Sequence, residues 1–370
     1  MNQTISIPPR DLEKLFALRA RLHACPELSG REAATARIIQ SFLTENTSLT
    51  LERRDGWLLA THFEGEGLPE IGFRADMDAI PVEDIPGRAR HGCGHDGHSA
   101  ILCGLALALE GSRVGRNVRL IFQGAEETGE GARHICETWP GLRSLSRIYG
   151  LHNIPGHPLG AVLVRRGCFA CASCGLIVRV TGSPAHAAYP EQGANPAGLL
   201  CRLALALPQM IEEILAGDGR LLLHTVVGLN LGGENFGLSA SEGRLCLTLR
   251  GHRRADIDAL IEAICRYAEA DCAAAGMSCA FELRDAFPDT SSDDACVEEA
   301  LGLWRAAGLS PRLLPEPMRW SEDFGWYLKE VPGVFFGIGS GEICPGLHTA
   351  EYRFPDAAIA PAIEAFAALL

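Results

Sequence analysis

The residues best able to do chemistry crowd into His91-Gly92-Cys93-Gly94-His95-Asp96-Gly97-His98, where one thiol, three imidazoles and one carboxylate alternate with three glycines. A mixed thiolate and imidazole set suits zinc and its first-row neighbours better than magnesium or calcium. Cys93 and His95 stand two apart, so an extended or looped backbone points both side chains the same way. The glycines let such a loop wrap closely around an ion. Two donors do not make a site, and further ones stand in Asp76-Met77-Asp78, Glu126-Glu127, His152-Asn153 and Leu347-His348-Thr349. Brought together, these segments offer Cys, His, Glu, His and His with additional carboxylates. That is too many for one tetrahedral zinc and fits two cations sharing a bridge. In Glu126-Glu127 the adjacent side chains point apart, so one can hold metal while its neighbour faces a water and accepts its proton. Asp76 and Asp78 could orient metal-bound histidines by accepting from the second ring nitrogen.

Such loops need a frame that brings them to one place. Periodicity and turn residues predict strands at 49–53, 58–63, 71–74, 118–123, 146–151 and 334–338. Helices are expected within 11–45, at 99–110, 132–138 and 295–307, and from 356 onward. Ser29 with Glu32 three positions on has the spacing of a capping box ahead of a helix at 33–43. The alternation predicts an α/β sandwich with a largely parallel central sheet. Each polar motif follows one of its strands, where open α/β sheets bind ligands. From 175 to 285 the order changes to β-α-β-β-α-β, the ferredoxin-like arrangement. The expected organisation is therefore a metal-binding domain of 1–174 and 286–370 with 175–285 inserted.

Composition narrows the function classes. With 370 residues, 47% hydrophobic and 21% charged, the chain is long enough for two domains and an ordinary globular core. A formal charge of −13 argues against nucleic-acid binding. No apolar run approaches a membrane span, and the N-terminal stretch has no apolar signal-like segment. Fourteen irregularly spaced cysteines do not form a secreted disulfide framework, so a cytoplasmic location is expected. Cys168-x-x-Cys171-x-x-Cys174 lies among small apolar residues without histidine and reads as packed strand and loop cysteines.

Six segments occur in one order: Arg74-Ala75-Asp76-Met77-Asp78-Ala79-Ile80-Pro81, the His91–His98 octapeptide, Phe122-Gln123-Gly124-Ala125-Glu126-Glu127, Gly150-Leu151-His152-Asn153, Ser321-Glu322-Asp323-Phe324 and Leu347-His348-Thr349. In this combination the chain resembles the amidohydrolase branch of the two-metal aminoacylase/carboxypeptidase family. That branch includes hippurate hydrolases, N-acyl amino acid deacylases, N-acetyldiaminopimelate deacetylases and plant auxin-conjugate hydrolases. The early His23-x-x-Pro26-Glu27-Leu28-Ser29 also fits, and the likeness spans nearly the whole chain.

The resemblance implies a zinc-peptidase-like α/β sandwich with an inserted dimerisation or lid domain. It implies two divalent metal ions per subunit, held by Cys93, His95, Glu127, His152 and His348. Zinc, manganese, nickel or cobalt all suit a site with a cysteine ligand. It makes Glu126 the general base and later the proton donor, with Asp76 as supporting acid and Asp78 as second choice. In Gly182-Ser183-Pro184-Ala185-His186-Ala187-Ala188-Tyr189-Pro190, His186 matches a histidine that polarises the scissile carbonyl, often from the neighbouring subunit. Two departures stand out. The 232–241 segment lacks the usual Asn-Val-Ile-Pro, the family asparagine falling on Gly237 with Asn235 two residues earlier, and the loop between Pro81 and His91 is short. The expectation is a metal-dependent amidohydrolase, homodimeric through the inserted domain, acting on an N-acyl amino acid or related small carboxylate-bearing conjugate. Asn235, Arg250 or the backbone of Gly339-Ser340-Gly341 would receive the carboxylate. A dipeptidase or exopeptidase of the same family is the alternative. A binding protein that kept only the fold would lack a base or a ligand, and none is missing.

Overall fold

Strands buried on both faces must be apolar almost throughout, and Gly333–Gly339 (GVFFGIG) is buried at every position. Asn117–Gln123 and Glu70–Asp76 are nearly so. The computed structural model describes residues 8–83 and 85–370. The first seven residues of the N-terminal stretch, and Asp84 in the short loop before His91, lie outside the described residues. The chain divides into two compact units, Met1–Phe169 with Thr290–Pro317 and Glu322–Leu370, and Ala170–Asp289 with Met318–Ser321.

The first unit is built on an eight-stranded sheet in the order Thr50–Arg54, Trp57–His62, Asn117–Gln123, Glu70–Asp76, Leu145–Ile154, Gly333–Gly339, Val162–Val164, Arg312–Leu313. The four strands from Asn117–Gln123 to Gly333–Gly339 run parallel, while their outer neighbours Trp57–His62 and Val162–Val164 pair antiparallel. The sheet is thus parallel at its centre and mixed overall. Its core includes Leu15, Leu18 and Leu22 of one helix, Ile101 and Leu105 of a second, and Ile363 and Phe366 of a third. Each such side chain contributes roughly 1.5–3 kcal/mol by burial. The second helix, His95–Leu109, is buried almost all round. Gly104 lets it approach the last helix, because a Cβ there would stand 2.2 Å from Ile363 Cδ1.

The second unit has a four-stranded antiparallel sheet in the order Leu222–Leu231, Glu242–Gly251, Ala172–Thr181, Ser278–Phe287. With helices Ala197–Leu215 and Arg254–Ala275 this is the ferredoxin-like β-α-β-β-α-β order. Leu176, Val178, Val180, Leu245 and Leu247 cluster with Leu203 and Leu260 of the two helices. The alternate positions carry polar side chains such as Arg179, Arg244 and Arg250. The first helix continues through Pro208. Among the described residues no helix is long and apolar enough to cross a membrane.

Two local expectations fail. Helix His95–Leu109 begins four residues before the predicted start, so the second half of the octapeptide is its first turn and not part of a loop. The Ser29/Glu32 pair does not cap helix Ala33–Asn46. The amides of Ala34 and Thr35 donate to Glu27 Oε2, at 2.8 and 2.7 Å.

Candidate metal centre

The carboxyl ends of three parallel strands deliver the first donors. Asp76 is the last residue of Glu70–Asp76, Asn117–Gln123 leads into the turn before Glu126-Glu127, and His152 lies within Leu145–Ile154 instead of beyond its end. Ala125, with φ +54°, turns the chain ahead of the two glutamates, whose carboxylates both come within 4 Å of His95 Nε2. Gly94, at φ +98°, joins Cys93 to the helix that begins at His95. A Cβ there would lie 1.9 Å from Asn153 Oδ1, so only glycine fits between the thiol and the imidazole. His348 also takes a left-handed backbone, φ +64°, and its amide donates to Gly92 O at 2.8 Å.

These elements bring the donors together. Cys93 Sγ lies 3.4 Å from His152 Nε2, and His152 Nδ1 donates to the Asn153 carbonyl at 2.8 Å, which leaves Nε2 as the lone-pair nitrogen. His95 Nδ1 donates to Asp78 Oδ1 at 3.1 Å. Its Nε2 stands 3.8 Å from Asp76 Oδ2 and from Glu127 Oε1, and 3.9 Å from Glu126 Oε2. His348 Nε2 is 3.5 Å from Glu127 Oε1. Donor atoms of Cys93, His95 and His152 fall within 4.8 Å of one another, as do those of Cys93, Glu127 and His348, and those of His95, Glu126 and Glu127.

The donor set fits a cation. His95 Nε2 and Glu127 Oε1 are buried without a hydrogen-bond partner, a rare state for polar atoms. Burial, and then Glu127, Glu126 and Asp76, push the Cys93 thiol well above its ordinary range. Burial followed by Glu322, Glu127 and Asp323 does the same to Glu126. Burial opposes protonation of His95, but Asp76, Asp78 and Glu127 outweigh it and hold the imidazole at about 10. Divalent charge among these groups reverses that balance, favouring thiolate, carboxylate and neutral imidazole.

The family model for peptidase family M20/M25/M40 matches residues 72–370. The chain belongs to this peptidase family. It is therefore a hydrolase of a metal-dependent family. An N-acetyl-L-cysteine deacetylase of Bacillus subtilis is 30% identical over 89% of the chain and 81% of its own length. An N-acetylcysteine deacetylase of the same organism is 27% identical over 96% of each chain. A B. subtilis protein of solved structure, described as a dinuclear metal binding peptidase of the M20 family, superposes with a TM-score of 0.79 at 25% identity, covering 98% of each chain.

Within this M20 fold several residues that the motifs contain, but whose roles the spacing did not reveal, stand directly behind the donors. Arg74 is fully buried. Its Nε donates to Gln123 Oε1 at 2.8 Å, Nη1 to Asp76 Oδ2 at 2.8 Å and Nη2 to Asp323 Oδ1 at 2.7 Å, with Glu322 Oε1 at 3.1 Å. Asp323 Oδ2 also accepts from Gln123 Nε2 and the Ala132 amide, and the Asp323 amide donates to Glu126 Oε1 at 3.3 Å. His98 stands 2.6 Å from Asp76 Oδ1 and 2.9 Å from Asn153 Oδ1. The available signal was Arg74 and Asp76 two apart on a strand, hence on one face. Asp96 Oδ2 meets His23 Nδ1 at 2.8 Å, and the His91 ring stacks on His23 with both its nitrogens buried and without a hydrogen-bond partner.

The remaining predicted site residues divide between the units. In the second unit His186 is exposed, and its Nδ1 accepts the Ala188 amide at 3.1 Å. Asn235 lines a concavity of about 820 Å³ with Arg179, Asn230 and Arg244, and its Oδ1 accepts the Gly237 amide. Arg250 Nη1 donates to Ser321 Oγ and the Arg319 carbonyl at 2.9 and 3.1 Å. Gly339 and Gly341 belong to the first unit, and the carboxylate-receiving reading does not suit them. Their amides donate to the carbonyls of Ala161 and His157, at 2.9 Å each, and so are engaged within the chain.

Proposed function

We propose that the chain is an amidohydrolase that cleaves N-acyl amino acids or similar small conjugates bearing a free carboxylate. Cys93, His95, Glu127, His152 and His348 hold two divalent cations drawn from zinc, manganese, nickel and cobalt. The observation that carries this reading is the buried, unpartnered Nε2 of His95 with Glu127 and Glu126 at 3.8 and 3.9 Å. Cations bound there supply Lewis-acid polarisation of a carbonyl and acidify a water.

The protein's own groups do the rest. Glu126 accepts a proton from the attacking water and returns it to the departing amide nitrogen. The Asp323 amide holds one of its oxygens at 3.3 Å, leaving the other toward His95. Asp78 fixes the His95 tautomer, while Asp76, set by Arg74 and His98, supports the site as a carboxylate. Because His186 Nδ1 accepts an amide, the neutral ring carries its proton on Nε2, the form that donates to a developing oxyanion. Arg250 and Asn235 are assigned the substrate carboxylate. The two relatives named N-acetylcysteine deacetylases support the N-acyl class.

A homodimer through the second unit belongs to the same reading. Its edge strand Leu222–Leu231 exposes Val226, Val227, Leu229 and Leu231, and such an edge favours pairing with another copy. Fourteen free cysteines support a reducing, cytoplasmic setting. The test is a panel of N-acetyl amino acids, N-benzoyl amino acids and dipeptides, run before and after chelation. The expected result is turnover of acyl amino acids that chelation abolishes and added divalent ions restore. Preference for a free α-amine would favour the dipeptidase reading instead.

A further inference from the structure

Ser29 and Glu32 have the spacing of a helix cap but point away from the helix. Ser29 Oγ donates to Asp78 Oδ2 at 2.7 Å. That same oxygen accepts the Glu127 amide at 3.1 Å, and the other Asp78 oxygen accepts from His95 Nδ1 at 3.1 Å. Glu32 bonds backbone amides instead. It is 4% exposed, and its Oε1 accepts the amides of Gly30 and Ala125, at 2.7 and 2.8 Å. A Cβ on Gly124 would fall 2.7 Å from the Glu32 carboxyl carbon, so the carboxylate lies against the turn itself.

That turn needs holding. Ala125 has φ +54°, a left-handed conformation that L-residues adopt only against steric strain, and it leads directly into Glu126 and Glu127. The segment carrying both prongs is anchored in its turn. The Ala79 amide donates to Glu27 O at 2.9 Å, Leu28 bridges to Ala79, and the Glu27 side chain takes over the cap of helix Ala33–Asn46. Glu27 thus frees Ser29 and Glu32 from the role their spacing suggests.

We propose that Ser29 and Glu32 are positioning residues, two prongs of one clamp on the loops that carry the reaction. Ser29 fixes Asp78, and through it the ring of His95 and the amide of Glu127. Glu32 fixes the Ala125 turn, which aims Glu126 and Glu127. The inference rests on the proposed roles of His95, Glu126 and Glu127, and it gives the early His23-to-Ser29 motif a task.

The experiment uses the full chain and compares Ser29→Ala and Glu32→Ala with Ser29→Thr and Glu32→Gln, which keep a hydroxyl donor and a carbonyl acceptor. Zinc affinity is measured by chelator competition, and amide hydrogen exchange is followed in the metal-free protein. Groups behind metal ligands typically tune affinity by about 10–100-fold, so both alanine variants should weaken zinc binding at least tenfold. The Thr and Gln variants should stay with the wild type. In the metal-free protein Glu32→Ala should speed exchange at the Ala125 amide and Ser29→Ala at the Glu127 amide. Wild-type affinity and exchange in the alanine variants would overturn the clamp. So would conservative variants that fall as far as alanine. A wild-type protein that binds no zinc would contradict the proposed function, and exchange at Ala125 and Glu127 would then decide the clamp by itself.

Discussion

Arg74 carries a full charge into the first unit, where Asp76, Glu322 and Asp323 surround it, all fully buried. Removing one partner of a buried ion network leaves uncompensated charge and typically costs about 3–5 kcal/mol. Arg74→Met should lose stability on that scale in urea unfolding, and Arg74→Lys should fall between, because lysine keeps the charge without the planar fork. Wild-type stability in Arg74→Met would contradict the network. At this scale residue type pointed to groups that the fold brings together, and said little of the side chains that stand behind them. Cys93, His95, Glu126 and Glu127 declare themselves by residue type within a few positions. Asp323 is 249 residues from Arg74, and nothing local links the two. Ser29 and Glu32 were visible as a pair, but spacing cannot say which amides a carboxylate will find.

Elements were legible wherever apolar periodicity is strong, as in Asn117–Gln123 and Gly333–Gly339, and least so at their ends. His95–Leu109 starts early because Gly94 supplies a left-handed turn right after Cys93, and a histidine-rich segment hides that helical turn from pattern reading. One end behaves as capping rules require. The Asp293 side chain accepts the Cys296 amide at 2.9 Å at the start of helix Asp294–Ala306. That bond lowers the Asp293 pKa. A carboxyl depressed in the folded state stabilises above its unfolded pKa, about 3.9, and loses that contribution as pH falls through the folded value. Asp293→Ala should therefore cost about 1 kcal/mol near neutral pH, with the difference shrinking below about pH 4. Paired thermal melts at pH 7 and pH 3.5 check it, and a pH-independent difference would contradict the cap.

For the whole molecule, the α/β class and the β-α-β-β-α-β order follow from element order, which is local information. The mixed edges of the large sheet do not, because short strands such as Val162–Val164 and Arg312–Leu313 leave too little pattern to read. The proposed assembly is testable at this scale. Val227→Glu with Leu229→Lys places charge on the exposed edge strand, and light scattering should show a dimer become a monomer; a wild-type monomer would contradict the dimer. In the proposed two-cation hydrolase Glu126 is the base and Glu127 a ligand. The most direct measurement is metal content and kcat of Glu126→Gln on an N-acyl amino acid that the wild type hydrolyses. The variant should keep two bound ions, as in the wild type, with kcat down by more than about 10²-fold. Near-normal turnover, or loss of a metal ion with Glu126, would contradict it.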